Sequence, residues 1–221
     1  MTPHIPFHPI VICALAALSL AFAAPAMAMA MTVQDDDYVD IPGMGVSPAP
    51  PEGTPFVLPE GLTIEEPIRG YNTYDPEDCD FKYADQAVGK GEQVRLCVVF
   101  NNATNSPITL QLPPGLAFVS RNLEKQNGII AQRISIEVPA RTRYFQPLFT
   151  YCVNSGRDSA SFGDEYDVGN VTNLPAFQTL FQLIEDKVIT DTNFVVVMSA
   201  MKTISNGEAL DADQLAQLEA L

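Results

Sequence analysis

The chain reads as a mainly β protein, an antiparallel sandwich that is immunoglobulin-like in outline, followed by a short C-terminal helical part. Three observations carry that expectation. Between residues 93 and 153 apolar side chains recur with a period of two, in short runs separated by turn clusters. After residue 172 the period becomes that of a helix. No helical pattern lies between the strands, and a parallel sheet would require such crossovers.

The first 30 residues read as a removable export signal. Ile10–Ala24 is an apolar run of 15 residues. A membrane span needs about 20, whereas the apolar region of a signal needs about 7–15. Pro25 breaks the run, and Ala26-Met27-Ala28 and Ala28-Met29-Ala30 both fit the small-x-small cleavage pattern. The exported chain is expected to start near Met29 or Met31 and to hold no further membrane span. Its expected location is secreted, periplasmic or cell-surface.

Removing residues 1–30 removes both histidines, His4 and His8. The exported chain then lacks the side chain that most often serves as general base or zinc ligand. No glycine-rich phosphate loop, Ser-x-x-Lys or Cys-x-x-Cys pattern occurs. The sequence therefore points away from an enzyme, a metal centre or a bound cofactor. The net charge of −15 is carried wholly by residues 31–221. It repels phosphate backbones and anionic lipid, so nucleic acid is not an expected partner.

Residues 31–80 read as an acidic, proline-rich tail or linker. They hold 12 acids against Arg69 alone, open on Asp35-Asp36-Asp37, and are interrupted by eight prolines from Pro42 to Pro76. Such a segment is expected to be extended and solvated. Its apolar patches, Phe56-Val57-Leu58 and Leu62-Thr63-Ile64, can still lie along the domain or add an edge strand. Tyr38, Tyr71, Tyr74 and Tyr83 are expected to pack the tail rather than to stack on sugars.

Residues 81–221 read as the sandwich with its helices. Val94, Leu96, Val98 and Phe100 share one strand face. The cluster from Asn101 to Pro107 turns the chain into Ile108, Leu110 and Leu112, a half-buried strand. Pro113-Pro114-Gly115 turns into a strand from Leu116 to Ser120, and a polar loop follows as far as Gly128. Ile130, Ile134, Ile136 and Val138 mark the next strand, and Tyr144–Val153 the last, with Phe145, Phe149, Tyr151 and Val153 on one face. Residues 154–172 read as a polar loop. Phe177, Leu180, Phe181, Ile184 and Val188 then recur at helical spacing, with Pro175 suited to the first turn. Phe194, Val197, Met198 and Met201 repeat the spacing, although Val195-Val196-Val197 also suits a strand. Asp211 with Gln214 forms a capping-box signature for a terminal helix.

The disulfide candidates are Cys97, Cys152 and Cys79, which allow one bridge and one leftover thiol. Cys97–Cys152 is the favoured pairing, because a loop of 55 residues would close and stabilise by about 4 kcal/mol. Both cysteines lie opposite the apolar faces of their strands, which keeps open the rival in which Cys79 pairs with one of them and pins the tail. Other candidate chemistry is thin. Asp164-Glu165-Tyr166-Asp167 with Asn170 offers oxygens to calcium but lacks a dedicated loop frame and is expected to be solvated. Glu92, Glu124 and Glu137 show no glycosidase pairing. Asn102 and Asn170 head N-glycosylation sequons.

The order of sandwich, Tyr151-Cys152-Val153-Asn154, polar loop, amphipathic helix, Ala200-Met201-Lys202-Thr203-Ile204 and capped terminal helix resembles poorly characterised secreted bacterial proteins that carry a Tyr-Cys-x-Asn element after a β-sandwich. That resemblance covers roughly residues 90–221 and implies no activity. The expected function is an exported, non-catalytic binding, cell-surface or structural module. Its partner would be an unidentified protein or glycan. The alternatives are a carbohydrate-binding or carbohydrate-processing envelope protein, and a fibre subunit that uses its N-terminal tail for strand addition.

Overall fold

A computed structural model describes residues 40–72, Cys79 and residues 83–221. The expected export signal, Asp35-Asp36-Asp37, Tyr38 and Tyr74 lie outside the described residues. In chain order the strands are β1 (Thr54–Pro55), β2 (Leu62–Ile64), β3 (Ile68–Gly70), β4 (Val88–Gly89), β5 (Val94–Asn102), β6 (Ile108–Leu112), β7 (Leu116–Ser120), β8 (Gly128–Ile129), β9 (Ile134–Val138), β10 (Thr142–Cys152) and β11 (Glu165–Val171). Three helices follow, α1 (Pro175–Ile184), α2 (Phe194–Ser205) and α3 (Ala212–Glu219).

The protein is mainly β, but the strands form a closed barrel in place of the expected sandwich. β5 pairs with β10 from Thr142↔Asn102 to Thr150↔Val94. From β5 the sheet runs through β3, β11, β7 and β8 to β10, and so returns to β5. Every neighbour in this ring is antiparallel. Three of the six strands lie where no barrel strand was expected, and one of them, β8, begins at the end of the loop read as far as Gly128. β3 lies in the segment read as a tail, and β11 lies in the segment read as a polar loop. β11 escapes pattern reading because its outward positions are Glu165, Asp167 and Gly169, and only Tyr166 among them and their neighbours is fully buried. Inserted between β5 and β7, β3 and β11 close the sheet and remove its edges there.

The tail reading is corrected for residues 40–72. Ile41 and Met44 are buried in the helix-side core, and β1, β2 and β3 all join the sheet. Prolines forbid long elements here, but strands of two or three residues fit between them. Glu65 anchors the segment further, accepting 2.6 and 2.8 Å bonds from the Arg143 guanidinium. That pairing holds its carboxyl below the usual glutamate range.

Two apolar cores result. The barrel interior gathers Val94, Leu96, Val98, Phe100, Phe118, Leu148 and Tyr166, and the β6–β9 ribbon adds Leu110, Leu112, Ile136 and Val138 to it. The second core lies outside the barrel. Ala117, Ile129, Tyr151 and Val153 meet Phe177, Leu180, Phe181 and Ile184 of α1 and Phe194, Val197, Met201 and Ile204 of α2. This reverses one reading of β10. Tyr151 and Val153 face the helices, and Cys152 points into the barrel core. Both faces of β10 are covered, so apolarity alone does not say which is the interior. Helix formation over Val195-Val196-Val197 follows from the same packing, since α2 buries Phe194, Val197, Ala200, Met201 and Ile204 along one stripe. Val188 lies beyond α1 and is exposed. The terminal helix is capped as its sequence implies, with Gln214 N donating to Asp211 Oδ1 at 2.7 Å.

Tyr166 carries one polar anomaly. It is fully buried, and its hydroxyl, with Ser120 nearby, completes no well-formed hydrogen bond. Burial pushes its phenol well above the ordinary tyrosine range. Tyr166→Phe is therefore expected to leave unfolding free energy unchanged or to raise it by up to about 1 kcal/mol. Urea denaturation checks this, and a loss above about 1 kcal/mol would show that the hydroxyl is satisfied.

Candidate functional site

A cleft of about 450 Å³ opens where β10 ends beside α2. Its floor is built by the Tyr151-Cys152-Val153-Asn154 element, which contributes Cys152 and Asn154. One wall is α2, whose Val195, Met198, Ser199 and Lys202 recur at i, i+3, i+4 and i+7. Gln93, Gln126, Arg157 and Ser159 supply the opposite side. The cleft thus brings together the two segments, around Cys152 and around Lys202, that are most distinctive in the sequence.

Its polar groups are fixed by buried amides. Asn154 Oδ1 accepts from Asn127 N at 2.7 Å, and Asn154 Nδ2 donates to the carbonyls of Gly43 and Gly45 at 3.1 and 3.4 Å. Asn127 Nδ2 also donates to Gly43, at 2.9 Å, and its Oδ1 accepts from Ser120 N. Gln126 Oε1 accepts from Asn154 N at 3.0 Å, and its Nε2 donates to the Arg157 carbonyl at 2.8 Å. The Arg157 guanidinium donates to the carbonyls of Ser47 and Lys125, at 2.6 and 3.4 Å. Burial pulls it below the ordinary arginine range, which still leaves it charged at neutral pH.

Cys152 is the free thiol among the described residues, and it is buried. Burial pushes its thiol up, and the Lys202 ammonium pulls it only part of the way back. It therefore stays protonated near neutrality and is a poor nucleophile. The cleft lining contains two cations, Arg157 and Lys202, with no carboxylate and no imidazole. Lys202 has no ion-pair partner among the described residues. A chain of net charge −15 has here gathered donors around a concave surface. The arrangement can hold a polar ligand by hydrogen bonds and charge.

The disulfide joins Cys79 to Cys97. This corrects the favoured Cys97–Cys152 pairing. Cys97 faces outward from β5 into a small cluster with Cys79 and Val99, backed by Tyr71 and Phe145. Cys152 faces the barrel interior, so the two thiols lie on opposite sides of the wall. The rival reading, with Cys79 pinning the N-terminal segment to the sheet, is the one that holds.

The remaining candidates are dispersed. Asp167 takes Arg121 at 2.6 Å, and Glu165 lies 3.5 Å from the same guanidinium. Asp164 accepts from Ser161 N at 2.7 Å and lies 3.7 Å from Lys125. These carboxylates are engaged in ion pairs and turns, and no metal-holding group of three or more ligands occurs among the described residues. Glu92, Glu124 and Glu137 are exposed. Asn102 is buried, donating to the carbonyls of Ser106 and Val138, so its sequon sits in a structural turn. Asn170 donates to the Pro51 carbonyl. Tyr71 packs edge-on to Phe149, and Tyr83 stacks on Phe145. Sequence reasoning missed Arg157, Lys202 and Ser199 as partners. The available signal was the 195, 198, 199, 202 stripe, which is opposite the buried face of α2.

Comparison with protein-family models, with curated proteins and with solved structures returns no match.

Proposed function

We propose that this chain is an exported, non-catalytic binding module that presents the cleft over Cys152 to a polar ligand. The observation that carries the reading is the cleft's composition: amides, hydroxyls and two cations around a protonated thiol, with no general base. Such groups bind and orient without moving protons. Export is supported by the Cys79–Cys97 disulfide, which suits an oxidising compartment. Among the described residues no helix is long and apolar enough to cross a membrane.

Carbohydrate binding is the second reading. It is favoured by the side chains of Gln93, Ser159 and Ser199, which offer donors and acceptors matched to sugar hydroxyls. The fibre reading draws less support, because the segment from Thr54 to Gly70 pairs within its own sheet.

The test is binding of a panel of neutral and uronate-bearing oligosaccharides to the exported protein, beside capture from envelope extract, each repeated with Lys202→Glu. Retention that Lys202→Glu lowers by about tenfold supports the cleft. Retention equal in both proteins places binding elsewhere and overturns the cleft assignment. Cleavage of a bound oligosaccharide overturns the non-catalytic reading, and capture from extract without any oligosaccharide binding rejects the carbohydrate alternative.

A further inference from the structure

The barrel wall has a seam where β3 gives way to β2. β3 bridges β5 and β11, whereas β2 continues along β5 and pairs with β5 alone. β1 pairs with the far end of β11, at Asn170 and Val171. Between them lies a groove of about 550 Å³, which shares no lining residue with the cleft over Cys152. Phe56, Leu58, Ile64 and Val168 give it an apolar lining, and Glu66 is its one charged residue.

Strand alternation decides which backbone groups face this groove. Gly61 O accepts from Ala103 N, and Glu65 N donates to Val99 O. Residues 61, 63 and 65 therefore turn their polar groups to β5, and Ile64 turns its N–H and C=O away. On β11, Arg121 N donates to Glu165 O. The register with β7 then directs Asp167 to β7 and Val168 away from it. Pairing of β11 with β3 stops at Tyr166. Val168 thus also offers its N–H and C=O to the groove. Two strand edges face a common apolar trough.

We propose that this seam is a docking site for an extended peptide segment of a partner protein, one that carries a basic residue among apolar ones. An extended polypeptide repeats its donors and acceptors at strand spacing, so it can satisfy the edges at Ile64 and Val168 while alternate side chains enter the trough. A lipid chain would leave those backbone groups without partners. Charge selects the sign of the partner. Glu66 is exposed and has no ion-pair partner among the described residues. The N-terminal region of a second copy is strongly acidic, with 12 acids against one base over residues 31–80, and is repelled. The proposal stands independently of the cleft over Cys152.

The experiment uses the whole exported protein and fluorescent hexapeptides that alternate valine and threonine, with one position occupied by lysine or by glutamate. The lysine peptide is expected to bind more tightly than the glutamate peptide by about tenfold, and Glu66→Lys is expected to reverse that order. N-methylation of a central amide, which deletes one strand hydrogen bond, is expected to weaken binding by about tenfold. Amide NMR shifts on binding should be largest at Thr63–Glu65 and Val168–Asn170. Glu66 is exposed, so its variant is expected to fold, and its melting curve checks that. No binding of any peptide, indifference to N-methylation, displacement by oleate with retained groove shifts, or shifts located elsewhere would each overturn the proposal.

Discussion

Replacing both Cys79 and Cys97 with alanine is expected to lower the unfolding free energy by about 3 kcal/mol. The bridge spans a sequence separation of 18, and the chain-entropy model assigns a loop of that length about 3 kcal/mol. Both sulfurs are buried beside Val99, Tyr71 and Phe145, so their loss also loosens the contact between the incoming segment and the outer face of β5. Guanidinium denaturation of the double variant measures the loss. A companion measurement tests the pairing itself. Protein that begins at Met31, denatured without reductant, should titrate one thiol per molecule, and peptide mapping should place it at Cys152. Labelling at Cys79 or Cys97 under those conditions would reject the bridge.

Asn154→Ala is expected to cost about 2–3 kcal/mol. The side chain is buried and ties three elements together through Asn127 N, Gly43 O and Gly45 O. Truncation leaves the Asn127 N–H without an acceptor and takes one donor from each glycine carbonyl. A buried polar group left unsatisfied costs about 1–3 kcal/mol. Asn154→Asp separates the effects, since it keeps an acceptor for Asn127 N but turns a carboxylate oxygen toward two carbonyls. It is expected to be at least as damaging as alanine. Denaturation curves for both variants decide the matter. A loss below about 0.5 kcal/mol for alanine, the range of an ordinary surface substitution, would mean that Asn154 is not part of a closed network.

Much of the β content was legible because buried faces and turns leave local marks. The faces of β5, β6 and β9, the turns at Asn101–Pro107 and Pro113–Gly115, and α1, α2 and the cap of α3 all follow from spacing and turn chemistry. What was misread has a common cause. β3 and β11 are short or polar on one side, and both take their place from neighbours that are distant in sequence. Pattern analysis sees alternation within a segment and cannot see which segment will fill a gap. The cleft was legible only in pieces. Cys152 and Asn154 stood out in the sequence, whereas their placement beside Lys202 and Arg157 depends on how α2 lies against the end of β10.

The sequence by itself determined the acidic charge, the want of histidine beyond residue 8, the mainly β class and the helical C-terminal part. Each is a matter of composition or of local period. Tertiary structure alone decided that the sheet closes, that Cys79 rather than Cys152 meets Cys97, and that Cys152 points inward. The physical reason lies in β10. Both of its faces are apolar, because one lines the barrel and the other supports the helices. A strand buried on both sides carries no local sign of which side is the interior, so its cysteine could be oriented only once the layers above and below it were in place.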